Sequence, residues 1–303
     1  MEDQVLSFNT ADIMECQQNR YPMLFLDQVT ECVPLKYAKC YKLFSYDEWY
    51  VHGYESLNYK VWSSVQIEAM TQLFLMTFLT ADENKGYVTA SNKFENVQFI
   101  KDIKPGQKLN LEARLDSFRH GIARGIVYGE INGLKVCSLE ATIVVPDIFY
   151  KIQKRLPVKT LSRKVDPSRS SPSKINFGID KIRDHMLFKY PWLFLDNVSH
   201  IEPGKVVKAN KLFTYNEKYF PSHFPSDPNV PGFIIIESCI QAFLLTFLSL
   251  NQHKKSETAN RSLKNVQLKR KILPGDILEL HARLDTFKEG VASGSVESFV
   301  NSE

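Results

Sequence analysis

The chain has 303 residues, and at roughly 100–200 residues per domain that length favours two domains, each able to bury a sizeable core. Hydrophobic residues make up 44% and charged residues 24%, with 13 Gly and 14 Pro, which excludes collagen-like, disordered and disulfide-scaffold classes. A net charge of +4 suits an acidic protein partner but falls short of the dense basic surface of a nucleic-acid binder, so nucleic acid is not an expected partner.

In chain order, the first segment is MEDQVLSFNT, with acids where a signal or transit peptide needs bases and no apolar run behind them. The five cysteines, Cys16, Cys32, Cys40, Cys137 and Cys239, form neither a CxxC nor a Cys/His metal spacing. Their expected setting is a reducing compartment, and the expected location is cytoplasmic. No metal site is expected. A short helix, two strands, a loop, one long apolar helix and about three more strands follow from the periodicity.

The same order then repeats. RYPMLFLDQV at Arg20 returns as KYPWLFLDNV at Lys189, 169 positions on. Without a gap, that offset also pairs LFSYDE with LFTYNE, IEAMTQLFLMTFL with IESCIQAFLLTFL, ENVQ with KNVQ, the Pro-Gly at Pro105 with that at Pro274, and ARLDSF with ARLDTF. One register held so long marks a duplication into two similarly folded units. The expected organisation is a first unit over residues 1–146, a linker rich in Lys, Arg, Ser and Pro over 147–175, and a second unit over 176–303. The linker's charge reads as a solvated tether, with a docking surface for an acidic partner as the sharper reading.

In the second unit the expected strands are LFLDNVSHI, KVVKANKLF, SLKNVQLKRKIL, ILELHARLDTF and VASGSVESFV. A single apolar helix followed by antiparallel strands predicts an α+β unit whose sheet wraps the helix, leaving one sheet face to pair with the other unit. The stretch Gly232 to Leu250 is about as long as the ~20 residues of a membrane span. Glu237 and Gln241 near its middle instead make it a helix buried inside protein. The first copy continues through GLKVCSLEATIVVP, whereas Asn301, Ser302 and Glu303 align only with Asn132, Gly133 and Leu134. The second unit is therefore expected to lack its final strand, as a truncated product or with a short, exposed sheet edge.

Identity collapses between Val51–Gln66 and Phe220–Ile235. Here the second copy carries Pro221, Pro225, Pro228 and Pro231, which stiffen an extended loop ending at Gly232, the entry of the long helix. His223 is thus held beside a helix N-terminus, whose free N–H groups polarise a carbonyl while a neutral imidazole removes a proton. Glu68 and Glu237, carboxyls in apolar helices, are candidate acids with raised pKa. His52, His120, His185, His200, His253 and His281 are read as structural.

The segment YNEKYFPSHFPSDPNVPGFIIIESCIQAF resembles the signature of FabZ-type 3-hydroxyacyl-acyl-carrier-protein dehydratases, and KYPWLFLDNV and RKILPGDILEL resemble the same family. The likeness covers nearly all of Gly178 to Val300 and, more weakly, Thr10 to Pro146. It implies a hot-dog fold, a dimer of such units, and active sites at the unit interface that combine a His from one unit with a Glu from the helix of the other. On that resemblance His223 matches the base, Gly232 the backbone donor to the thioester carbonyl, and Glu68 and Glu237 the acid. Tyr54 stands at the first copy's His position, with His52 displaced by two residues, and Trp62 and Ser63 replace its Pro-Gly.

The expectation is an intrachain pseudo-dimer, with higher oligomers open, in which His223 and Glu68 make one complete site while Glu237 and Tyr54 make a vestigial one. Gln72 and Gln241 orient the carboxyls or serve structure alone. The expected reaction is loss of water from a 3-hydroxyacyl thioester in fatty-acid or polyketide-type biosynthesis. It needs no cofactor beyond the phosphopantetheine thioester carrying the substrate. The acyl carrier protein is the expected partner, with Lys269, Arg270 and Lys271 as a weak docking candidate. A silent acyl-carrier or acyl-chain binding module and a hot-dog thioesterase are the competing readings.

Overall fold

The fold is described by a computed structural model over residues 4–55, 58–148, 176–225 and 227–300. Residues 149–175, most of the expected linker, lie outside that range. The first unit runs β1 (Leu6–Phe8), α1 (Thr10–Cys16), β2 (Gln28–Val33), β3 (Tyr37–Leu43), α2 (Ser63–Leu79), β4 (Ala90–Phe99), β5 (Lys108–Arg119), β6 (Ile122–Ile131) and β7 (Leu134–Val144). The second runs β8 (Phe177–Gly178), α3 (Ile179–His185), β9 (Asn197–Glu202), β10 (Val206–Leu212), α4 (Gly232–Leu248), β11 (Ser262–Leu263), β12 (Val266–Gln267), β13 (Ile277–Lys288) and β14 (Val291–Val300). Both short helices, both long helices and the strand pairs β2/β9, β3/β10, β5/β13 and β6/β14 recur at the spacing of the sequence repeat.

Each unit is an antiparallel sheet wrapped around one long helix, the hot-dog architecture. The first sheet has the order β1-β2-β3-β5-β6-β7-β4 and continues into β11, with β12 also on β4. The second is β14-β13-β10-β9-β8. Seventeen-residue α2 buries every residue except Glu68, and α4 buries all but Gly232, Cys239 and Phe243. A helix apolar on all faces forms only when a sheet closes around it, so helix and sheet stabilise each other. Among the described residues no helix is long and apolar enough to cross a membrane.

Two expectations change. LFLDNVSHI becomes a strand only from Asn197, because the Phe194 N–H is bonded by the Gln241 side chain at 2.8 Å instead of a neighbouring strand. SLKNVQLKRKIL forms just two two-residue pieces, β11 and β12, separated at Asn265 with φ of 53°. Its counterpart β4 carries the same left-handed residue, Asn96 at 48°, yet stays continuous because β7 pairs with it on both sides of the irregularity.

The units also join differently from a sheet face left over for the other copy. They meet edge to edge, where β11 and β12 pair antiparallel with β4, and through the loop before α2. There the Glu55 N–H donates to Leu187 O at 2.8 Å and the Lys189 N–H to Gly53 O at 2.9 Å. Arg183 and Lys255 pair with the Glu55 carboxylate at 2.9 and 3.2 Å. All three tryptophans of the chain converge at this seam, with the Trp192 ring 5.3 Å from Trp49 and stacked 5.9 Å from Trp62.

Gly53 is a close approach of the two backbones: a Cβ there would lie 2.0 Å from Trp192 Cβ and 2.8 Å from its nitrogen. Backbone cannot rotate away as a side-chain tip can. Gly53→Ala is therefore expected to force the units apart and lower stability by about 1–3 kcal/mol, the range for overpacking, read as a drop of several degrees in Tm by calorimetry.

Candidate active site

Both long helices carry Glu and, one turn on, Gln on the same face. In α2, the Gln72 Nε2 donates to Glu68 Oε1 at 2.7 Å and to Met23 O at 2.7 Å, while its Oε1 accepts the Phe25 N–H at 2.7 Å. In α4, the Gln241 Nε2 donates to Glu237 Oε1 at 3.0 Å and to Trp192 O at 2.7 Å, and its Oε1 accepts the Phe194 N–H at 2.8 Å. The two readings offered for these glutamines thus merge: each amide pins the helix to the segment before the first long strand and holds the carboxyl in place.

The carboxyls differ in their opposite neighbours. Glu237 is 1% exposed and accepts a 2.6 Å bond from the hydroxyl of Ser64, in the first turn of α2. Burial raises its pKa, and the Ser64 and Gln241 bonds oppose the rise. By the repeat, the residue equivalent to Ser64 is Phe233, in the first turn of α4, which has no hydroxyl to offer. Its ring packs edge-on against Phe25, the residue clamped by Gln72, at 5.6 Å. Glu68 is the one α2 residue left partly exposed. Burial pushes its carboxyl up to about 7, opposed by the Gln72 bond.

The proline-rich loop stands at the N-terminus of α4. Its Val230 N–H donates to Ile272 O at 2.9 Å, its Asn229 N–H to His223 O at 2.9 Å, and Lys271 pairs with Asp227. The His223 Nδ1 lies 3.0 Å from Asn229 O. A carbonyl can only accept, so Nδ1 carries the proton and Nε2 presents its lone pair. Burial holds the His223 pKa down, to about 4, against the opposing bond to Asn229. Gly232 is the first residue of α4, preceded by Pro231 with no side-chain cap, which leaves the helix N-terminus able to donate to a ligand oxygen. A Cβ on Gly232 would lie 2.8 Å from Leu268 Cδ1.

The equivalent place in the first unit is filled. Tyr54 is buried with its ring 5.1 Å from Trp62 and 5.3 Å from Phe188. Lys60, at the position of Asn229, donates to Thr258 O and sets its ammonium 5.5 Å from both the Tyr54 and Trp62 rings. Asn260 donates to the Ser63 hydroxyl at 2.6 Å. What remains beside Glu237 is a cavity of about 30 Å³, room for about one water. His52 is held elsewhere, its ring 4.6 Å from Tyr46 and 6.2 Å from Tyr59.

Lys60, Ser64 and Asn260 were not singled out in the sequence. The first two lie in the window where the copies diverge, so the repeat carries no signal for them. Of the basic run, Lys269 is exposed, Arg270 is half-buried and Lys271 is committed to Asp227 on the His223 loop. Among the described residues no three His, Cys, Asp or Glu side chains converge as a metal site.

The FabA-like domain family matches residues 187–303. The chain is 34% identical over 126 residues to the 3-hydroxyacyl-(acyl-carrier-protein) dehydratase FabZ of Clostridium kluyveri, covering 42% of this chain and 88% of that protein. It is 38% identical over 143 residues to FabZ of Ralstonia nicotianae, covering 46% and 87%. Among solved structures, the dehydratase domain of RzxB from Pseudomonas fluorescens superposes over 86% of this chain and 88% of its own, with a TM-score of 0.52 at 12% identity. A protein described as an oleoyl thioesterase from Lactobacillus plantarum superposes over 88% and 92%, with a TM-score of 0.50 at 10% identity. These two likenesses span both units and support the fold. The sequence identity over almost the whole of each FabZ relative goes further, and places the chain in the FabZ-type 3-hydroxyacyl-acyl-carrier-protein dehydratase family.

Proposed function

We propose that the protein removes water from 3-hydroxyacyl thioesters presented by an acyl carrier protein, giving trans-2-enoyl thioesters, at one complete site per chain. The observation that carries this reading is the pair of opposed protonation states: an imidazole kept neutral with Nε2 free, and a carboxyl held near neutrality on the partner helix. Groups whose environments push them apart in this way are an acid and base assignment.

In the reaction, His223 Nε2 takes the proton from C2, and the electron pair of that C–H bond becomes the new C2–C3 double bond. The Gly232 N–H bonds the thioester oxygen while negative charge builds on it. The C3–O bond breaks with its pair going to oxygen, which takes the proton of Glu68 and leaves as water. Transfer of a proton from the imidazolium to the carboxylate restores both groups. The elimination is redox-neutral and needs no electron carrier.

Pairing of His223 with Glu68 across the units is supported by the mirror arrangement, in which Glu237 already reaches the first turn of α2. The first-unit site is vestigial in this reading, since Tyr54, Lys60 and Trp62 occupy the space a substrate would need. Lys269 and Lys271 are the exposed members of the basic run, and with Lys271 paired to Asp227 it is Lys269 that is offered to an acidic carrier. All five thiols are free, in keeping with a reducing, cytoplasmic setting. The pathway served is fatty-acid or polyketide-type biosynthesis.

Catalysis needs His223 unprotonated and Glu68 protonated. With His223 near 4 and Glu68 near 7, kcat/KM is expected to rise with pH through the first value and fall through the second. A flat profile across pH 6–8 would remove Glu68 from the acid role. The pairing is checked by separate alanine variants: Glu68→Ala should cut hydration of a crotonyl thioester by about 10²-fold or more, and Glu237→Ala by no more than a fewfold. The opposite ranking would exchange the two sites.

A further inference from the structure

By the repeat, Trp62 stands where Pro231 stands in the second unit. Each is the residue just before a long helix, and their backbones agree, with φ −63° and ψ 145° at Trp62 and φ −58° and ψ 138° at Pro231. A proline holds such a φ by its ring, and the tryptophan reaches it without one. What the exchange adds is therefore the side chain. That indole is 6% exposed. Its Nε1–H donates to Tyr50 O at 2.7 Å, and its ring stacks on Trp192 at 5.9 Å with 12° between the planes. Trp192 stacks in turn on Phe233 at 6.4 Å and 23°. Three nearly parallel rings thus join the residue before α2 to the first turn of α4. Phe233 then meets Phe25 edge-on at 5.6 Å, and the Phe25 ring lies 5.9 Å from Tyr50, which closes the circuit at the carbonyl that Trp62 bonds. Trp192, Phe233, Phe25 and Tyr50 are each at most 2% exposed, so none of these rings has open space to swing into.

The circuit is built once. Its mirror by the repeat would consist of Pro231, Met23, Ser64, Phe194 and Tyr219, three of which are not aromatic. It is also anchored at two points of the candidate active site. Phe233 follows Gly232 directly, so the stack fixes the turn that presents the Gly232 N–H. Phe25 gives its N–H to Gln72, whose amide holds Glu68 at 2.7 Å. Filling the first-unit site accounts for the contacts of Trp62 with Tyr54 and Phe188, at 5.1 Å each; it does not account for a stack that runs on to Phe233.

We propose that Trp62 is a positioning residue of the His223 site, a role that rests on the dehydration reading: through Trp192, Phe233 and Phe25 it holds the Gly232 N–H and the Glu68 carboxyl in register, so that the residue which closes one site braces the other. Groups that act on a reacting molecule keep their geometry only when the side chains behind them are locked by packing. With the indole removed, Trp192 loses one face of its stack, Phe233 and Phe25 gain room, and the Gln72 bond to Glu68 loosens. That bond opposes the rise of the Glu68 pKa, so loosening it sends the carboxyl higher.

Two measurements on the full chain test this. Trp62→Ala is expected to lower kcat for hydration of a crotonyl thioester about tenfold with KM within about twofold. It is also expected to move the titration midpoint of Glu68, followed by 13C NMR of the carboxyl and assigned through Glu68→Gln, upward by about half a pH unit. Trp62→Phe, which keeps a ring to stack, should restore most of both. Trp49→Ala removes a ring that touches Trp192 at 5.3 Å and 46°, outside the parallel stack; it is expected to lower Tm and leave kcat and the midpoint where they were. A folded Trp62→Ala protein in which either kcat or the midpoint is unchanged would overturn the proposal, as would a Trp49→Ala protein that shifts both equally, or no recovery with Trp62→Phe. If Trp62→Ala does not fold, Trp62→Leu, apolar but without a ring face, is read in the same way. The titration does not depend on turnover: a wild-type chain that hydrates nothing removes the dehydration reading, and the midpoints still decide whether Trp62 braces Glu68.

Discussion

A carboxyl inside an apolar helix is the constraint from which the rest of this protein is arranged. Burying an unpaired charge is costly enough that the group either finds donors or takes up a proton. Both long helices solve half of the problem with the same glutamine, whose amide also satisfies one N–H and one C=O of the incoming chain. Removing that side chain would strand three polar groups at once. The clamp therefore couples the position of the carboxyl to the docking of the helix.

The two units part ways in how they solve the other half. Ser64 supplies Glu237 with a hydroxyl donor, and Lys60 and the aromatic rings of Tyr54 and Trp62 close the space in front of it. Phe233, in the same helical position, gives Glu68 nothing, so the carboxyl stays near neutrality and open on one side. Two carboxyls at one position of the repeat thus acquire different surroundings through what the other copy places opposite each of them. The loop follows the same division. Proline and the Asn229 carbonyl set His223 with its basic nitrogen free, while the first copy replaces that loop with the residues that seal the seam against Trp192 and Phe188.

Most of this was legible in the sequence because the repeat carries it. The unbroken register from Arg20 and Lys189 located both helices, the paired glutamates and the glutamines, and the four prolines around His223 isolated the one loop that differs in kind. What escaped were interactions with no local pattern. Ser64 and Lys60 gain their meaning only from Glu237 and Thr258 in the other unit. Phe194 leaves its expected strand because a glutamine 47 residues on takes its N–H. The seam itself is an edge-to-edge strand pairing, which alternation of apolar residues does not reveal, since alternation describes the faces of a sheet and is silent about its edges.

The breaking of SLKNVQLKRKIL into β11 and β12 shows why pattern alone overestimates a strand. Both copies contain an Asn at positive φ in this segment, and in β4 the strand survives because ladders on both flanks bridge the irregularity. With β4 as their one partner strand among the described residues, β11 and β12 keep two residues each, and the backbone beyond Gln267 leaves the sheet. Strand length is in this sense a property of the neighbours more than of the segment. The same reasoning explains β14, whose alternation and inward glycine match β6 while its burial does not. Ala292, Gly294 and Val296 repeat the buried Ala123, Gly125 and Val127 of β6, and a Cβ on Gly294 would meet the Phe243 ring at the same 2.6 Å at which one on Gly125 would meet Phe74, so the helix-facing geometry is a property of the segment while its burial is not.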